Sequence, residues 1–156
     1  WRNHQTLSVA ESCTSGRIAS VITAVPGSSQ YFKGGVIAYA NEVKINLLGV
    51  DAQIIEEKTP VCEEVAVQMA QGARKTFGTD YSVSVTGFAG PGGHDSGKNS
   101  VLVGTIWIAV ASSTNVKTVM LEEDNGRDKN LASATSTAIH LLLELLKEEL
   151  GGGEEA

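Results

Sequence analysis

Residues 10–16, with the sequence Ala-Glu-Ser-Cys-Thr-Ser-Gly, join a short β-like run to a helix-like run. The β-like run covers residues 6–10, and the helix-like run covers residues 17–22. A strand that enters a helix through small hydroxyl residues and glycine can aim backbone N–H groups at an anion. It can also hold one hydroxyl at the mouth of a pocket, which makes Ser12 a candidate nucleophile beside an oxyanion site. The alternative, which this segment alone favours, is that Ser12, Thr14 and Ser15 only cap the helix.

The composition indicates one globular domain with a substantial core. The chain has 156 residues, of which 42% are hydrophobic and 19% are charged. Only 5% are aromatic and the formal net charge is −6, so a nucleic-acid binder is not expected. Five glutamates near the carboxyl terminus carry much of the negative charge, which leaves room for a small anionic ligand elsewhere.

Cysteine and histidine usage argues against metal chemistry. Cys13 and Cys62 do not have the spacing of a metal site, and a reduced compartment without a disulfide is the simpler interpretation. The three histidines are scattered, so neither a histidine triad nor a zinc site is predicted. The sequence contains no visible signal peptide or membrane span. We therefore expect a protein of a reduced compartment with no cofactor and no metal, and the start at Trp1 suggests a trimmed chain or a domain of a longer protein.

Hydrophobic periodicity and turn residues predict an alternation of strands and helices. The predicted order is strand, helix, strand, helix, helix, strand, strand, strand, helix. Such an order favours an α/β class protein, a three-layer α/β/α sandwich with a mixed β-sheet. We assign residues 1–150 to this single domain and residues 151–156 to a flexible tail. The predicted strands cover residues 7–10, 35–39, 81–86, 101–111 and 116–121, and the predicted helices cover residues 14–25, 42–48, 60–77 and 127–150.

Two further features bear on chemistry, and each has a plain structural alternative. The glycine-rich stretch at residues 87–93 follows a predicted strand but lacks the spacing of a Walker A loop or a dinucleotide fingerprint. It is either a wide turn or a backbone cradle for a phosphate or carboxylate. Lys44 lies on an otherwise apolar short helix, where it is either a surface residue or a buried lysine whose lowered pKa suits a base for Ser12.

Six segments together resemble one known family. They occur in the family's order, within a resemblance that covers about residues 6–148: Ala-Glu-Ser-Cys-Thr at 10–14, Pro-Gly-Ser-Ser at 26–29, Gly-Gly-Val-Ile-Ala-Tyr-Ala-Asn-Glu-Val-Lys at 34–44, Leu-Leu-Gly-Val at 47–50, Val-Thr-Gly-Phe-Ala-Gly-Pro-Gly-Gly at 85–93 and Val-Gly-Thr-Ile-Trp at 103–107. The chain thus resembles the CinA C-terminal domain family, the PncC-type nicotinamide-nucleotide amidases.

This resemblance implies an amidohydrolase that converts nicotinamide mononucleotide into nicotinic acid mononucleotide and ammonia, a step in pyridine nucleotide recycling. The family's catalytic serine, tyrosine and lysine map onto Ser12, Tyr39 and Lys44. The family also implies a cytoplasmic homodimer that needs no metal, with a small nucleotide as substrate and with neither nucleic acid nor membrane as partner. The positions implied to bind the ligand are Glu11, Thr14, Ser15, Gly16, Ser29, Thr86, Gly87, Gly90, Gly92 and Arg127.

Departures from the family keep two alternatives open. The family usually has glycine at the position of Ser15, and if the turn requires a positive φ there, serine costs about 1 kcal/mol or more. Leu131 and Ala132 replace basic residues of the family near Arg127. The alternatives are a catalytically silent nucleotide- or partner-binding module of the same fold, and an amidase that acts on another small amide.

Overall fold

A mixed five-stranded sheet forms the centre of the protein, in a computed structural model that describes residues 4–91, 94–95 and 100–150. The strand order is β2-β1-β3-β6-β7. Strands β2, β1 and β3 are parallel, whereas β6 and β7 pair antiparallel to their neighbours. The bounds are β1 Leu7–Glu11, β2 Phe32–Ile37, β3 Tyr81–Gly87, β6 Ile106–Ala111 and β7 Val116–Leu121, with β4 His94–Asp95 and β5 Ser100–Val101 as a separate short ribbon.

Helices cover both faces of the sheet. One face packs against α1 and α5, and the other packs mainly against α4, with α2 and α3 beside it. The bounds are α1 Arg17–Thr23, α2 Asn41–Leu48, α3 Ala52–Lys58, α4 Glu63–Phe77 and α5 Arg127–Glu149, with a short 3-10 helix at Ser28–Gln30. The predicted three-layer α/β/α sandwich with a mixed sheet is therefore confirmed.

Side-chain alternation along β3 explains why both faces can be covered. Val83 and Val85 belong to the apolar cluster shared with α1 and α5. The intervening Ser82 and Ser84 are completely buried on the other face, where their hydroxyls donate to the carbonyls of Ala70 and Ala66 on α4, each at 2.6 Å. The small residues allow α4 to approach closely, and the hydrogen bonds satisfy the buried hydroxyls.

Several predicted boundaries were wrong. The first helix begins at Arg17 rather than at residue 14, because residues 12–16 form a turn held by tertiary hydrogen bonds. The predicted long strand at 101–111 is regular only from Ile106 in the central sheet, because turns around Gly104, with φ 95°, interrupt it. Helix α3 was missed entirely, although its N-cap residue Asp51 accepts a hydrogen bond from the Gln53 N–H.

The predicted tail at residues 151–156 lies outside the described residues, as does Gly92. Cys13 and Cys62 are both free thiols. Within the described residues no helix is long and apolar enough to cross a membrane. The same residues contain no group of three or more His, Cys, Asp or Glu side chains that could hold a metal ion.

Candidate active site

The candidate site lies where the parallel strands end. Ser12 follows β1, Gly87 closes β3, and Tyr39 comes two residues after β2. Because β2, β1 and β3 are parallel, their carboxyl ends meet at one edge of the sheet. A hydrogen bond of 2.7 Å from the Ala38 N–H to the Glu11 carbonyl joins two of these strand ends. Helix α2 then begins at Asn41 and carries Lys44 on its first full turn back toward this edge.

Ser12 and Lys44 form a buried pair. The Lys44 Nζ donates to the Ser12 Oγ at 3.2 Å, although the two residues are 32 positions apart in the chain. Lys44 is only 2% exposed and Ser12 only 7%. The backbone also fixes Ser12, because its N–H donates to the Val85 carbonyl at 3.0 Å. A hydroxyl within hydrogen-bond reach of an amine is the geometry of a nucleophile with its base.

Burial changes the pKa of Lys44 in the direction that a general base requires. It lowers the pKa of the Lys44 amine from 10.5 to about 8, because the charged form loses its hydration inside the protein. Among the ion pairs of the described residues, none includes Lys44, so no carboxylate restores the charged form. A substantial fraction of Lys44 is therefore neutral at a pH near 8 and can accept a proton.

Tyr39 contributes to this pair through its backbone. Its carbonyl accepts a hydrogen bond from Lys44 Nζ at 3.2 Å and so fixes the amine beside Ser12. The Tyr39 side chain lines the cavity described below and is 62% exposed. Within the described part of the chain its phenol makes no hydrogen bond, so it is available to a ligand.

The turn after Ser12 has left-handed backbone geometry at two successive residues. Ser15 has φ 51° and Gly16 has φ 101°. The position that the family fills with glycine therefore does require a positive φ, at a cost of about 1 kcal/mol for serine. Ser15 also bonds back to the Ser12 carbonyl through its N–H, at 3.2 Å, and through its hydroxyl, at 3.4 Å.

Glu11 supplies the cap of α1 that the hydroxyl residues were expected to provide. It is 1% exposed, and its carboxylate accepts hydrogen bonds from the Thr14 hydroxyl at 2.6 Å and from three backbone N–H groups. Those N–H groups belong to Gly16, Ile18 and Ala19, at 3.0, 3.1 and 2.9 Å. The hydroxyls of Ser12, Thr14 and Ser15 do not cap the helix, whose N-cap residue is Gly16. The anion at this helix start is thus the protein's own carboxylate.

A cavity of about 310 Å³ opens beside the Ser12 hydroxyl. Its walls combine a hydroxyl, an amine, a guanidinium, an amide and apolar side chains. The lining residues are Ser12, Cys13, Tyr39, Asn41, Lys44, Pro60, Val61, Thr86, Gly87, Phe88, Ala89, Gly90 and Arg127. A larger groove of about 690 Å³ lies between α1 and α5, and it is lined by Ser136 and His140 among others. Among the described residues no hydrogen bond joins a hydroxyl of this groove to a base. The smaller cavity is therefore the better candidate for chemistry.

Helix α5 fixes the wall opposite the dyad. The Arg127 Nη1 donates to the Gly90 carbonyl at 2.5 Å. Asn130, which is buried, donates to the Ala89 carbonyl at 2.9 Å and to the Asp124 carboxylate at 3.0 Å. These bonds hold residues 89–90 against the start of α5 and place a guanidinium at the cavity.

Thr86 helps to shape a third wall. Its hydroxyl donates to the Pro60 carbonyl at 2.9 Å, which ties β3 to the segment that leads into α4. In that segment the Thr59 hydroxyl accepts from the Val61 N–H at 3.0 Å, and the Thr59 backbone has φ 113°.

Cys13, the residue after Ser12, also lines the cavity. Burial raises the pKa of its thiol to about 11, so Cys13 is a packing residue of the cavity rather than a second nucleophile.

The structure brings together some of the predicted site residues and not others. Ser12, Tyr39, Lys44, Thr86, Gly87, Gly90 and Arg127 all line the cavity. Glu11, Thr14, Ser15 and Gly16 form the turn that supports Ser12, while Ser29 is exposed in the 3-10 helix and does not line the cavity. Gly92 lies outside the described residues.

Sequence reasoning missed the cavity residues Asn41, Pro60 and Val61. Asn41 was interpreted as a helix cap, but the N-cap residue is Ala40 and the Asn41 side chain lines the cavity. The only sequence signal for Asn41 was its closeness to Tyr39 and Lys44. Pro60 and Val61 come to the site through the start of α4, which no local pattern indicates.

Comparison with known proteins identifies the family. Residues 1–146 match the CinA C-terminal domain, so the chain belongs to the CinA C-terminal domain family. A putative competence-damage inducible protein of Halothermothrix orenii is 46% identical over 143 residues, which cover 91% of this chain and 34% of that protein. A CinA-like protein of Rippkaea orientalis is 42% identical over 146 residues, covering 94% of this chain and 34% of that protein. The chain thus spans about a third of the length of the curated relatives it matches.

Solved structures of the same superfamily share the fold. A CinA superfamily protein from Escherichia coli superposes with a TM-score of 0.86 at 31% identity, over 93% of this chain and 83% of that one. A competence/damage inducible protein from Agrobacterium tumefaciens gives a TM-score of 0.86 at 34% identity, over 92% and 87% of the two chains. The mixed sheet with helices on both faces is therefore the fold of the superfamily.

Proposed function

We propose that this protein is an amidohydrolase that deamidates nicotinamide mononucleotide, with Ser12 as nucleophile and Lys44 as general base. The observation that carries this proposal is the 3.2 Å hydrogen bond between Lys44 Nζ and Ser12 Oγ in a buried setting. Burial lowers the pKa of Lys44 to about 8, which matches the requirement that a general base be partly neutral near the working pH.

In the proposed reaction, neutral Lys44 takes the proton of the Ser12 hydroxyl while Oγ attacks the carboxamide carbon. The negative charge that develops on the amide oxygen is stabilised by backbone N–H groups beside the nucleophile. The Lys44 ammonium then protonates the leaving nitrogen, so that ammonia departs and an acyl ester remains on Ser12. Lys44 next takes a proton from water, whose oxygen attacks the carbonyl carbon of that ester. The bond to Ser12 Oγ then breaks, the Lys44 ammonium returns the proton to Oγ, and the carboxylate product leaves.

The charge and size of the cavity support an anionic mononucleotide. Arg127 is the permanent cation of the lining, and it is in no ion pair within the described ranges, in a chain whose net charge is −6. A volume of about 310 Å³ is near the lower end of the range for small-molecule sites, about 300–1,000 Å³. Arg127 lines the cavity, and its guanidinium is the group that we propose to bind the phosphate. With this function we also propose a cytoplasmic homodimer, which sedimentation equilibrium of the chain tests.

The test is ammonia release from nicotinamide mononucleotide by the purified chain, with Ser12→Ala and Lys44→Ala measured in parallel. We expect release by the wild type and none above background by either variant. Release that Ser12→Ala leaves unchanged contradicts the mechanism. Absence of release by the wild type at high enzyme concentration contradicts the substrate, and a panel of other small carboxamides then tests the alternative that the dyad serves a different amide.

A further inference from the structure

Glu11 is a buried carboxylate that the proposed reaction does not use. It does not line the cavity, and both of its oxygens are engaged by the turn that follows Ser12. Oε1 accepts from the Thr14 hydroxyl and from the N–H groups of Gly16 and Ile18, and Oε2 accepts from the Ala19 N–H. A carboxylate with four donors inside the protein is fully satisfied and has no remaining geometry for a ligand.

All backbone N–H donors at the start of α1 are engaged in hydrogen bonds within the protein. The N–H groups of Ile18 and Ala19 go to Glu11, that of Arg17 goes to the Thr14 carbonyl at 3.0 Å, and that of Ser20 goes to the Gly16 carbonyl at 2.9 Å. The helix start therefore offers no free donor to a ligand. An anionic group of the substrate must be bound at another wall of the cavity.

The same bonds determine which donors stay free beside the nucleophile. The Ser12 N–H donates to Val85, the Ser15 N–H to Ser12, and the Gly16 N–H to Glu11. Within the part of the chain that the structure describes, this leaves only the N–H groups of Cys13 and Thr14 in this turn without an oxygen acceptor, and the Cys13 N–H interacts only with its own thiol. Of these two residues, Cys13 directly follows Ser12 and lines the cavity, whereas Thr14 is completely buried and does not. The Cys13 N–H is therefore the candidate donor to an oxyanion.

We propose that Glu11 is a positioning residue: its carboxylate locks the turn at residues 12–16 so that the Ser12 hydroxyl and the Cys13 N–H keep a reactive arrangement at the cavity. The turn needs such a lock because its backbone is left-handed at both Ser15 and Gly16. Glu11 acts on the turn through its hydrogen bonds to Thr14 and to the first residues of α1, and it does not contact substrate. This inference rests on the proposed role of Ser12 as nucleophile, but it does not depend on which amide is the substrate.

The discriminating variant is Glu11→Gln, which keeps the size of the side chain. In this variant an NH₂ group takes the place of one carboxylate oxygen and cannot accept a hydrogen bond from the donor that it faces. At least one of the four hydrogen bonds is therefore lost together with the negative charge. The matched control is Glu149→Gln, because Glu149 also accepts side-chain hydrogen bonds, from Tyr81, Ser112 and Thr114, but at the opposite end of the sheet. A loss of general stability affects both variants, whereas a loss of nucleophile geometry affects only the first.

The measurement is the rate at which a small alkyl fluorophosphonate labels Ser12, located by peptide mass spectrometry. In that reaction Ser12 Oγ bonds to phosphorus, the P–F bond breaks, fluoride leaves and Lys44 takes the hydroxyl proton. We expect Glu11→Gln to label about 10- to 100-fold more slowly than the wild type, and Glu149→Gln to label at the wild-type rate. With an amide substrate, kcat falls by a similar factor while KM changes less than about twofold, because Glu11 does not contact the ligand.

Labelling of Glu11→Gln at the wild-type rate overturns the proposal, and so does a rise in KM with kcat unchanged. A wild-type chain that is not labelled at Ser12 also overturns it, since there is then no reactive serine to position. A chain that is labelled but releases no ammonia from nicotinamide mononucleotide refutes that substrate and leaves the role of Glu11 in force. If Glu11→Gln does not fold, Thr14→Val is the second variant, because it removes a single hydrogen-bond donor to the Glu11 carboxylate. We expect Thr14→Val to slow the labelling of Ser12 about threefold. An unchanged labelling rate then refutes the positioning role of Glu11.

Discussion

Lys44 Nζ lies 3.2 Å from Ser12 Oγ and also 3.2 Å from the Tyr39 carbonyl, and no carboxylate pairs with it among the described residues. The Lys44 amine thus donates to one backbone carbonyl and one hydroxyl, and no negatively charged group among the described residues stabilises its protonated form. Because burial is the main cause of its lowered pKa, the same environment determines reactivity and stability. The pH dependence of turnover and the pH dependence of stability separate these two consequences.

The pH dependence of turnover follows from the requirement for a neutral base. We expect kcat/KM for amide hydrolysis to rise with pH and to reach half its maximum near the lowered pKa of Lys44, about 8. Lys44→Arg places a permanent cation beside Ser12 and should lower kcat/KM about 10³-fold at every pH. The control is Lys33→Arg on the exposed edge strand β2, which should keep the wild-type profile. A profile that falls between pH 7 and 9 contradicts Lys44 as the base.

The stability of the protein should respond to pH in the same range. Below about pH 8 Lys44 is charged in both the folded and the unfolded chain, so the folded state bears the full cost of burying the charge. Between about 8 and 10.5 only the unfolded chain binds the proton, so the free energy of unfolding rises with pH. Relative to Lys44→Met, which lacks this titration, the wild type should gain about 2–3 kcal/mol across the window. Urea unfolding of both proteins at pH 7 and pH 10.5 measures the gain, and a difference that does not change with pH contradicts it.

Ser15 should be a site where glycine stabilises the fold. Its φ of 51° is costly for a residue with a Cβ, so Ser15→Gly is expected to raise the free energy of unfolding by about 0.5–1 kcal/mol. Ser20→Gly within α1 is the matched control, and it should lower stability by about 0.5 kcal/mol because helical backbone disfavours glycine. Thermal or urea unfolding gives both values. A loss of stability in both variants would show that the left-handed geometry is not a source of strain.

The position of Lys44 should depend on the contact between α2 and α4. A Cβ added at Gly72 on α4 lies 2.0 Å from the Leu48 carbonyl oxygen, so Gly72→Ala must push the end of α2 away. We expect a loss of about 3 kcal/mol or more, and a fall in kcat because Lys44 moves with α2. Lys75→Ala, at an exposed position near the end of α4, should change neither quantity appreciably. Wild-type turnover in a folded Gly72→Ala protein contradicts the coupling.

Arg127 should bind the phosphate of the substrate. Loss of a charge-assisted hydrogen bond is worth about 1.5–3 kcal/mol, so Arg127→Met should raise KM for nicotinamide mononucleotide about 10- to 100-fold with little change in kcat. The dephosphorylated nucleoside should show no such increase. Lys129→Met, two residues further along α5 and exposed, is the control for loss of one positive charge. Equal effects of Arg127→Met on the nucleotide and the nucleoside contradict a phosphate contact.

Local patterns were a good guide to the elements of the sheet and a weaker guide to their ends. Val65, Met69 and Ala73 have helical spacing, and all three are completely buried on α4 as this pattern predicts. Helix α3 was missed because it has no buried residue and therefore no strong apolar periodicity. The start of α1 was placed too early, because the turn before it is held by Glu11, whose role depends on contacts with residues up to eight positions away.

The sequence by itself determined the α/β fold class, the strand-to-helix turn at Ser12 and the candidate lysine, because these depend on local periodicity and on residue type. The tertiary structure decided whether Ser12 and Lys44 meet. They are 32 positions apart in the chain, and only the parallel pairing of β1 with β2 and the packing of α2 bring them together. It also decided that Tyr39 holds Lys44 through a carbonyl, which no side-chain pattern reveals. The lowered pKa of Lys44 likewise exists only in the fold, because it is a consequence of burial and burial is a property of the packed chain.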